Sequence, residues 1–464
     1  MEKGNIRPPI VTVLGHVDHG KTTLLDSIRK SNVAAKEKGG ITQSIGASVV
    51  TTKESKKITF IDTPGHAAFT KMRSRGANVA DIAVLVVAAD DGVKPQTQEA
   101  LQLIKEAKIP FIVAITKTDL PSANVESTKG QLEKEGALFE GRGGDIPVVS
   151  VSAKAGKGID ELLETISLVF EVHGLKSDKG EEEAVVIESS KDQRGPQAAV
   201  IVKHGNLKVG EQIYVEGQET KIRALFDASG ASVKEVEAGY PALVLGFVDT
   251  PPVGAKVLKK ESLGVGVSKK EERWTGKVKE DEIAAIIKAE NQGALEALVA
   301  SLPAKVIVID SGVGDVNESD VLAAKAGGAL LFAFRSKASS QVSKLAETEG
   351  VTIETFEIIY ELIQRLEEIL KKGIVEILGR AQILAAFPFE KKKIAGCKVI
   401  EGKISKGDGL SLFRAEKEIG KTKAVSLKKQ KQDISEAKLG EEFGALLEPQ
   451  LDFQIGDVLV SVRK

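Results

Sequence analysis

The chain has 464 residues, 42% of them hydrophobic and 28% charged, and its 65 Lys and Arg against 66 Asp and Glu give a formal net charge of −1 at pH 7. The length is typical of three or four domains and the composition of soluble globular proteins, and the balanced charge excludes a uniformly basic nucleic-acid coat. The single cysteine excludes a disulfide framework, no apolar run is long enough to span a membrane, and the first residues leave no room for a signal peptide. We therefore expect a multidomain cytoplasmic protein without a membrane segment.

A phosphate-binding loop is predicted between the first strand and the first helix. PPIVTVL (8–14) is an apolar, β-branched run, and TTLLDSIRK (22–30) has helical spacing of its apolar residues. The residues between them, GHVDHGKT (15–22), match G-x-x-x-x-G-K-[ST]. In such a loop backbone N–H groups cradle phosphates at the start of a helix. Lys21 would bridge the β- and γ-phosphates and the Thr22 hydroxyl would bind Mg²⁺, so the motif predicts a nucleoside triphosphate site.

Three further strand ends indicate that the base is guanine. Asp62 ends KKITFID and can hold the shell of Mg²⁺, and the Gly65 amide that follows can bond the γ-phosphate. After PFIVAI, the carboxylate of Asp119 can accept hydrogen bonds from guanine N1–H and the exocyclic amine, which adenine does not offer. The loop 152–154 after the next strand suits the guanine O6 edge. The sequence therefore predicts binding of GTP and GDP.

The predicted nucleotide site extends over all of these loops. Its residues are Gly15, His16, Val17, Asp18, His19, Gly20, Lys21, Thr22, Thr23, Asp62, Gly65, Thr116, Lys117, Asp119, Ser152, Ala153 and Lys154. The motif does not define the chemistry of its two histidines. We expect both to shape the loop by bonding its backbone or the Asp18 carboxylate.

The rest of the chain predicts four more parts. Short alternating segments after an acidic linker favour a β-barrel over 177–268, and alternating strands and helices favour a parallel α/β domain over 269–352. The segment 353–372 has Phe356, Ile359, Ile363, Leu366 and Leu370 at helical spacing, so we expect one long helix there, either a rigid connecting rod or an ordinary core helix. The last part, 373–464, repeats the barrel, since VKHGNLKVGEQIYV (202–215) aligns with VIEGKISKGDGLSL (399–412). The expected fold is thus multidomain: a P-loop GTPase domain (1–176), a β-barrel, an α/β domain, a connecting helix and a second β-barrel.

Several motifs resemble those of translational GTPases, and the chain as a whole resembles bacterial-type translation initiation factor two. The resemblance rests on GHVDHGKT, DTPGHAAF (62–69) and GGITQSIGA (39–47), together with IIKAENQGALEAL (286–298) in the α/β part. It implies that Thr42, in the first switch, binds Mg²⁺ with Thr22 and, through water, Asp62. It also implies that His66 orients the attacking water, and that Val17 and Ile41 form an apolar gate that restrains His66.

Two positions depart from the family pattern. Thr116 stands where the base loop has asparagine, and a hydroxyl replaces only part of the amide's hydrogen bonding, so we expect weaker nucleotide binding. In the family the last barrel holds the formylated methionyl end of initiator transfer RNA. The candidate contacts here are Cys397, Lys428, Lys429 and Phe443, where Phe443 occupies a position that is commonly cysteine.

The resemblance implies a GTP-dependent initiation factor that brings formylmethionyl initiator tRNA to the small ribosomal subunit, promotes joining of the large subunit and hydrolyses GTP on the ribosome. Its expected partners are the ribosomal subunits and their RNA, the initiator tRNA and other initiation factors, and its cofactors are GTP or GDP and Mg²⁺. We expect a monomer. The alternatives are a GTPase module that energises a metabolic partner enzyme and a specialised elongation factor. Both have two consecutive barrels after the nucleotide domain, whereas this chain places an α/β unit and a helix between its barrels.

Overall fold

The computed structural model describes residues 7–30, 44–174, 183–260, 282–372, 376–389, 392–414, 417–429 and 432–463. The chain forms two compact units, Met1–Gln364 and Arg365–Lys464. The domain boundaries expected near residues 177, 268 and 373 lie outside the described residues. Within the described residues, no helix combines the length and the apolar composition that crossing a membrane requires.

The first domain is a six-stranded sheet with helices on both faces. Its elements are β1 (Ile10–Gly15), α1 (Lys21–Arg29), β2 (Gly46–Thr51), β3 (Lys57–Asp62), a 3-10 helix (Ala67–Phe69), α2 (Thr70–Val79), β4 (Ile82–Ala88), α3 (Pro95–Ala107), β5 (Phe111–Thr116), α4 (Val125–Lys134), β6 (Val148–Ser150) and α5 (Ile159–Val172). The strand order is β2-β3-β1-β4-β5-β6, and β2 is antiparallel while the other pairs are parallel. Helices α1 and α5 cover one face, and α2, α3 and α4 cover the other. Because parallel strands end at one edge, Gly15, Asp62 and Thr116 lie at the same edge of the sheet.

The second domain is an antiparallel β-barrel. Its strands are β7 (Glu183–Asp192), β8 (Gly195–His204), β9 (Asn206–Lys208), β10 (Gln212–Val215), β11 (Gln218–Lys221), β12 (Ala224–Phe226), β13 (Ser232–Val233), β14 (Glu235–Glu237), β15 (Pro241–Leu245) and β16 (Lys256–Leu258). The main sheet has the order β11-β10-β16-β7-β8-β15-β12-β13, and β9 pairs with β14. Because β11 and β12 follow each other directly in the chain, this path returns on itself around an apolar core. The expected barrel is confirmed.

The third domain has the expected parallel α/β structure. Its elements are β17 (Ile283–Ala289), α6 (Gln292–Ser301), β18 (Val306–Val313), α7 (Glu318–Gly327), β19 (Leu330–Phe334), α8 (Ser340–Glu349) and β20 (Ile353–Phe356). The strand order is β18-β17-β19-β20, and every pair is parallel. The helices begin at polar caps, since the side chains of Asn291, Asn317 and Ser339 accept hydrogen bonds from backbone N–H groups of the first turn.

The helix after this domain is shorter than expected. It is α9, Ile359–Lys372, whereas the expected helix began at residue 353. That start was wrong because Phe356 fits the helical spacing but belongs to β20, which pairs in parallel with β19.

The buried face of α9 also differs in two positions from the predicted face. Ile359, Leu362, Leu366 and Ile369 are buried, so Leu362 and Ile369 take the places expected for Ile363 and Leu370. Burial of one continuous face favours a core helix over an exposed rod.

The last domain is a closed barrel. Its strands are β21 (Glu376–Phe389), β22 (Lys392–Ser405), β23 (Gly409–Arg414), β24 (Lys417–Lys429), β25 (Gln432–Ile434), β26 (Glu436–Lys438), β27 (Glu442–Glu448) and β28 (Val458–Arg463). The order β21-β28-β23-β24-β27-β22 closes through the additional pairing of β21 with β22. All of these pairs are antiparallel.

The two barrels repeat each other down to single turns, as the alignment predicted. Gly210 has a φ of +88° and donates its N–H to the carbonyl of residue 222 at 2.8 Å. The aligned Gly407 has a φ of +91° and donates to residue 424 at 2.7 Å. The acids that follow these glycines, Glu211 and Asp408, each accept the backbone N–H three residues earlier. The left-handed conformation explains why glycine occupies both turns.

Candidate nucleotide-binding site

The predicted phosphate loop has the backbone that its glycines permit. Gly15 has a φ of +146°, and a Cβ atom there would overlap the carbonyl oxygen of Val86. Gly20 has a φ of +84° and precedes the first turn of α1. The loop therefore delivers the chain to the start of α1, where unpaired N–H groups favour an anion.

Lys21 is buried and lies across this loop. Its Nζ donates hydrogen bonds to the carbonyl oxygens of Gly15 at 3.0 Å and His16 at 2.6 Å. Burial lowers the pKa of Lys21 to about 8, and the negative charge of Asp62 opposes that shift. The ammonium group thus lies within the loop that would hold the phosphates.

The residues predicted to bind Mg²⁺ provide suitable donors. Thr22 lies in the first turn of α1, and Asp62 is buried at the end of β3. Their hydroxyl and carboxylate oxygens are hard ligands of the kind that Mg²⁺ prefers. Arg29 Nη1 lies 3.9 Å from the Asp62 carboxylate, which helps to fix its position. Thr42 and the gate residue Ile41 lie outside the described residues.

Thr116 retains one of the contacts expected of the missing asparagine. Its hydroxyl donates to the carbonyl oxygen of His19 at 2.6 Å, and this bond connects the end of β5 with the phosphate loop. A Cβ atom on Gly20 would lie 3.9 Å from the same hydroxyl. Thr116 therefore still links the base loop to the phosphate loop, although the family pattern has asparagine at this position.

The base loop presents an ionised carboxylate. Asp119 Oδ1 accepts a hydrogen bond of 2.7 Å from the Ser152 hydroxyl, and this bond lowers the pKa of Asp119. Ser152 Oγ in turn accepts the N–H of Ala155 at 3.1 Å. Lys154 adds a favourable charge beside Asp119. The sequence placed Ser152 near the base, whereas its hydroxyl orients the carboxylate that would read guanine.

The turn that carries Gly65 and His66, which we call the second switch, lies against the phosphate loop. A Cβ atom on Gly65 would overlap Lys21 Nζ and lie 3.2 Å from the backbone nitrogen of Val17. The Val17 N–H donates to Gln96 Oε1 at 3.0 Å, so α3 also supports this loop. The sequence analysis did not identify Gln96, because its contact depends on the packing of α3 beside β1.

His66 is half-buried and held from several sides. Its Nδ1 accepts the N–H of Ala68 at 3.1 Å, so the neutral ring carries its proton on Nε2. Burial and the charge of Arg73 lower the pKa of His66, which favours this neutral form. Its ring lies edge to face against Phe69, with centroids 6.2 Å apart, and against Tyr360, with centroids 4.4 Å apart.

Arg73 is a functional candidate that the sequence analysis missed. It is 1% exposed and donates to the carbonyl oxygens of Pro64, at 3.1 Å, and His66. Its other nitrogen donates to Glu99 Oε1 at 2.6 Å. One arginine of α2 therefore holds the turn that carries Gly65 and His66. Its only sequence signal is an arginine seven residues after His66.

The histidines of the phosphate loop form a structural cluster with Asp91. The rings of His16 and His19 lie 4.9 Å apart, and His19 Nε2 lies 3.4 Å from Asp91 Oδ2. The expected partner was the loop backbone or the Asp18 carboxylate, and the carboxylate beside His19 is that of Asp91. Burial lowers the pKa of His19 to about 4 and keeps it neutral. Although the three ligand atoms lie within 4.8 Å, Lys94 Nζ already occupies the Asp91 carboxylate at 2.7 Å, which disfavours a metal ion.

The four candidate tRNA contacts lie in two different environments. Cys397 and Phe443 face each other across the paired strands β22 and β27, 2% and 4% exposed, and burial raises the pKa of the Cys397 thiol to about 12. Neither side chain reaches the surface in this conformation. Lys428 and Lys429 are exposed, and they pair with Asp433 at 3.8 Å and Glu441 at 2.7 Å.

Comparison with known proteins supports the arrangement domain by domain. The model of the elongation factor Tu GTP binding domain matches residues 7–171, that of elongation factor G domain 2 matches 181–260, and that of translation-initiation factor 2 matches 259–367. These matches follow the order of the GTPase domain, the first barrel and the α/β domain.

Relatives match almost the whole chain. Translation initiation factor IF-2 of Pseudothermotoga lettingae is 43% identical over 98% of this chain and 73% of its own length. That of Aquifex aeolicus is 40% identical over 97% of this chain and 60% of its own length. A crystal structure of GDP-bound aIF5B from Aeropyrum pernix overlaps 98% of this chain and 92% of that one at 30% identity, with a TM-score of 0.45. The chain belongs to the translation initiation factor IF-2 family and is a GTP-binding translational GTPase.

Proposed function

We propose that this protein brings formylmethionyl initiator tRNA to the small ribosomal subunit, promotes joining of the large subunit and hydrolyses GTP when the ribosome stimulates it. The observation that most supports the GTP-dependent part of this proposal is the close approach of Gly65 to Lys21 and Val17. It places the lysine predicted to bind phosphate beside the turn that carries His66. Other initiation factors are further proposed partners, and the proposed form is a monomer in the cytoplasm.

The proposed switch begins with the γ-phosphate of GTP. Lys21 exchanges its bonds to the carbonyls of its own loop for bonds to phosphate oxygens, and the Gly65 N–H bonds the γ-phosphate. Thr22, Thr42 and, through water, Asp62 would hold Mg²⁺, which neutralises charge on the phosphates. Loss of the γ-phosphate releases the turn at Gly65, so two states of the second switch follow from one phosphate.

Selection of guanine depends on Asp119. Its carboxylate, kept ionised by Ser152, accepts the two N–H groups of the guanine edge. Adenine offers no matching pair of N–H groups, so a bound adenine would cover the carboxylate without replacing the hydrogen bonds that it makes to water, which costs binding free energy. Calorimetry should therefore show binding of GTP and GDP and no measurable binding of ATP. Equal binding of ATP contradicts the proposed switch.

Hydrolysis depends on the position of His66. Its neutral ring carries a proton on Nε2 and can orient the attacking water by a hydrogen bond. In the proposed mechanism ribosomal RNA turns His66 toward that water, so turnover is slow without ribosomes. The test compares GTP turnover with and without ribosomes for the unmodified chain and for His66→Ala. Full turnover by the free protein, or intact stimulation in His66→Ala, contradicts the mechanism.

The proposed contact with tRNA uses the exposed lysines of the last barrel. Surface ion pairs such as Lys428–Asp433 and Lys429–Glu441 contribute little stability, so a phosphate can replace either acid at small cost. Binding of the full chain to formylated and unformylated initiator tRNA tests this part. Equal affinity for the two forms contradicts recognition of the formyl group and leaves subunit joining to be tested separately.

A further inference from the structure

Arg73 of α2 uses both of its terminal nitrogens to hold the second switch and its surroundings. Nη1 donates to the carbonyl oxygens of Pro64, at 3.1 Å, and His66. Nη2 donates to the Thr70 hydroxyl at 2.9 Å and to Glu99 Oε1 at 2.6 Å. A guanidinium group carries two N–H groups on each of these nitrogens in one plane, and a lysine ammonium has no such fork. The four bonds therefore account for an arginine at this position.

The position of Arg73 is fixed by the helix beside it. Its side chain is buried, and Glu99 of α3 supplies the opposite charge, so displacing the guanidinium group would leave a buried charge unpaired. Helix α3 also holds the phosphate loop, because Gln96 Oε1 accepts the Val17 N–H at 3.0 Å. Residues three apart lie on one side of a helix. One side of α3 thus supports both the phosphate loop and, through Arg73, the second switch.

The bond to the Pro64 carbonyl sets the direction of the Gly65 N–H. The two groups belong to one peptide unit, which is planar and trans, so its C=O and N–H point in opposite directions. With the carbonyl turned toward Arg73, the Gly65 N–H points away from Arg73. Gly65 itself lies against the phosphate loop, since a Cβ atom there would overlap Lys21 Nζ. The N–H that would meet the γ-phosphate is thus held in one orientation by an arginine of the next helix.

We infer that Arg73 is a positioning residue that fixes the Pro64–Gly65 peptide so that the Gly65 N–H meets the γ-phosphate, and that it thereby favours GTP over GDP. This inference rests on the proposed bond between Gly65 and the γ-phosphate. GDP has no γ-phosphate and gains nothing from that orientation. Without Arg73 the peptide unit can rotate, so part of a hydrogen bond to a charged group is lost when GTP binds but not when GDP binds.

The first test measures the affinities of the full chain for GDP and for a GTP analogue that is not hydrolysed, by calorimetry with Mg²⁺. Arg73→Met removes the donors and keeps an unbranched side chain. We expect it to weaken binding of the GTP analogue about three- to tenfold and to change binding of GDP less than about twofold. A merely structural role would weaken both nucleotides alike, so equal losses overturn the inference.

The matched control is Arg75→Met, on the same helix. Arg75 is also ion-paired, with Glu296 of α6 at 2.7 Å, and makes no described contact with the second switch. The control should therefore keep the affinities of the unmodified chain for both nucleotides. The same loss of GTP preference in Arg75→Met assigns the effect to α2 as a whole and overturns the inference.

Arg73→Lys separates the geometry of the fork from its charge. The charge of Arg73 is close enough to lower the pKa of Lys21, so charge alone could attract the γ-phosphate. Because Arg73→Lys keeps that charge but not the fork, we expect it too to weaken the GTP analogue relative to GDP. If it binds both nucleotides like the unmodified chain, charge alone is sufficient and the inference is wrong. This variant also decides the question if Arg73→Met does not fold.

The second test observes the peptide unit itself by NMR. The dipeptide Pro-Gly occurs once in the chain, at 64–65, so carbonyl-labelled proline together with ¹⁵N-labelled glycine gives a single carbonyl–amide correlation. In the unmodified chain the GTP analogue, and not GDP, should shift the Gly65 amide proton downfield. Arg73→Lys should reduce that shift and should move the Pro64 carbonyl signal before any nucleotide is added. A GTP-specific amide shift of unchanged size in this variant overturns the inference.

These outcomes separate the inference from the proposed function. If the Gly65 amide of the unmodified chain does not respond to the GTP analogue, the proposed bond to the γ-phosphate is wrong, whatever Arg73 does. If it responds equally in the unmodified chain and in Arg73→Lys, the proposed switch stands and only the role of Arg73 is wrong.

Discussion

The two β-barrels carry the same bulge in corresponding strands, and its surroundings differ. In the first barrel the bulge of β7 contains Ile187, which is 2% exposed. In the second the bulge of β21 contains Leu384, which is 43% exposed. The repeated turns and bulge show that both barrels use one backbone plan, so the difference in burial comes from what packs on each barrel.

The residue after each bulge shows how the first barrel joins its neighbours. Glu188 lies there in β7, buried, and accepts the N–H of Gly293 from the start of α6 at 3.1 Å. A Cβ atom on Gly293 would overlap Met72 of α2, so three domains meet at this point. The corresponding residue of the second barrel is Ala385. The first barrel therefore packs against the GTPase and α/β domains at its bulge, whereas Leu384 at the bulge of the second barrel is exposed.

The largest expected difference between the barrels concerns stability. Ile187→Ala should lower the free energy of unfolding by about 2–5 kcal/mol, because it removes a buried side chain and leaves a cavity. Leu384→Ala should change it by less than about 1 kcal/mol, because the side chain is partly exposed already. Urea unfolding followed by circular dichroism measures both. Equal losses of unfolding free energy in the two variants would show that the two bulges are equally buried, which contradicts the comparison.

The second prediction concerns the acid at the junction. Burial raises the pKa of Glu188 from 4.5 to about 7. Between these values the unfolded chain loses the proton that the folded chain retains, so stability falls as the pH rises from about 4.5 to 7 and the loss is complete above 7. Glu188→Gln keeps the acceptor for Gly293 and carries no charge. Relative to the unmodified protein it should gain about 1–3 kcal/mol between pH 5 and pH 8.

The control for this pH effect is Glu219→Gln, an exposed acid on β11 of the same barrel. Its stability should follow the unmodified protein across the whole pH range. If the free energy of unfolding of Glu188→Gln and of the unmodified protein depended on pH in the same way, ionisation of Glu188 would not destabilise the fold. Water would then reach the junction more than the burial of Glu188 indicates.

The third prediction concerns Thr116 in the base loop, where the family pattern has asparagine. Thr116→Asn should tighten GTP and GDP by about 0.5–1.5 kcal/mol, at most about tenfold, because the amide restores a hydrogen bond that the hydroxyl lacks. Calorimetric titration of both variants measures the change. The His19 carbonyl remains within reach of the asparagine amide, so the link to the phosphate loop should survive. Equal affinities would show that Thr116 already supplies everything the loop needs.

The comparison also shows what the sequence could predict. Gly15 and Asp62 end strands, and Lys21 and Asp119 lie in the segments that follow strands. Because parallel strands bring their ends to one edge, motif and topology together predicted that these residues lie at the same edge of the sheet. The repeated glycine turns were equally predictable, because each requires a positive φ. These features depend on residues close together in the sequence.

The missed features depend on contacts between distant segments. Arg73, Gln96 and Tyr360 act through the packing of one helix against another element, and no local pattern distinguishes them from ordinary surface residues. The start of α9 was wrong for a related reason, because Phe356 fits a helical spacing that pairing with β19 overrides. Glu188 likewise looks like a solvent-facing acid in an alternating strand until α6 covers it.

The smallest expected effect lies in the second barrel, where Lys428 and Lys429 are exposed and paired with acids. Lys429→Ala should change the free energy of unfolding by less than about 0.5 kcal/mol, since its ion pair with Glu441 is at the surface.

If the barrel binds tRNA as proposed, the same change should weaken binding to the initiator tRNA and reduce the salt dependence of that binding by about one released counterion. Lys403→Ala, which breaks a similar exposed pair with Glu436, is the matched control and should leave tRNA binding unaltered. Equal salt slopes for both variants would place the RNA on another face of this barrel, and the exposed bulge at Leu384 would then be the next surface to test.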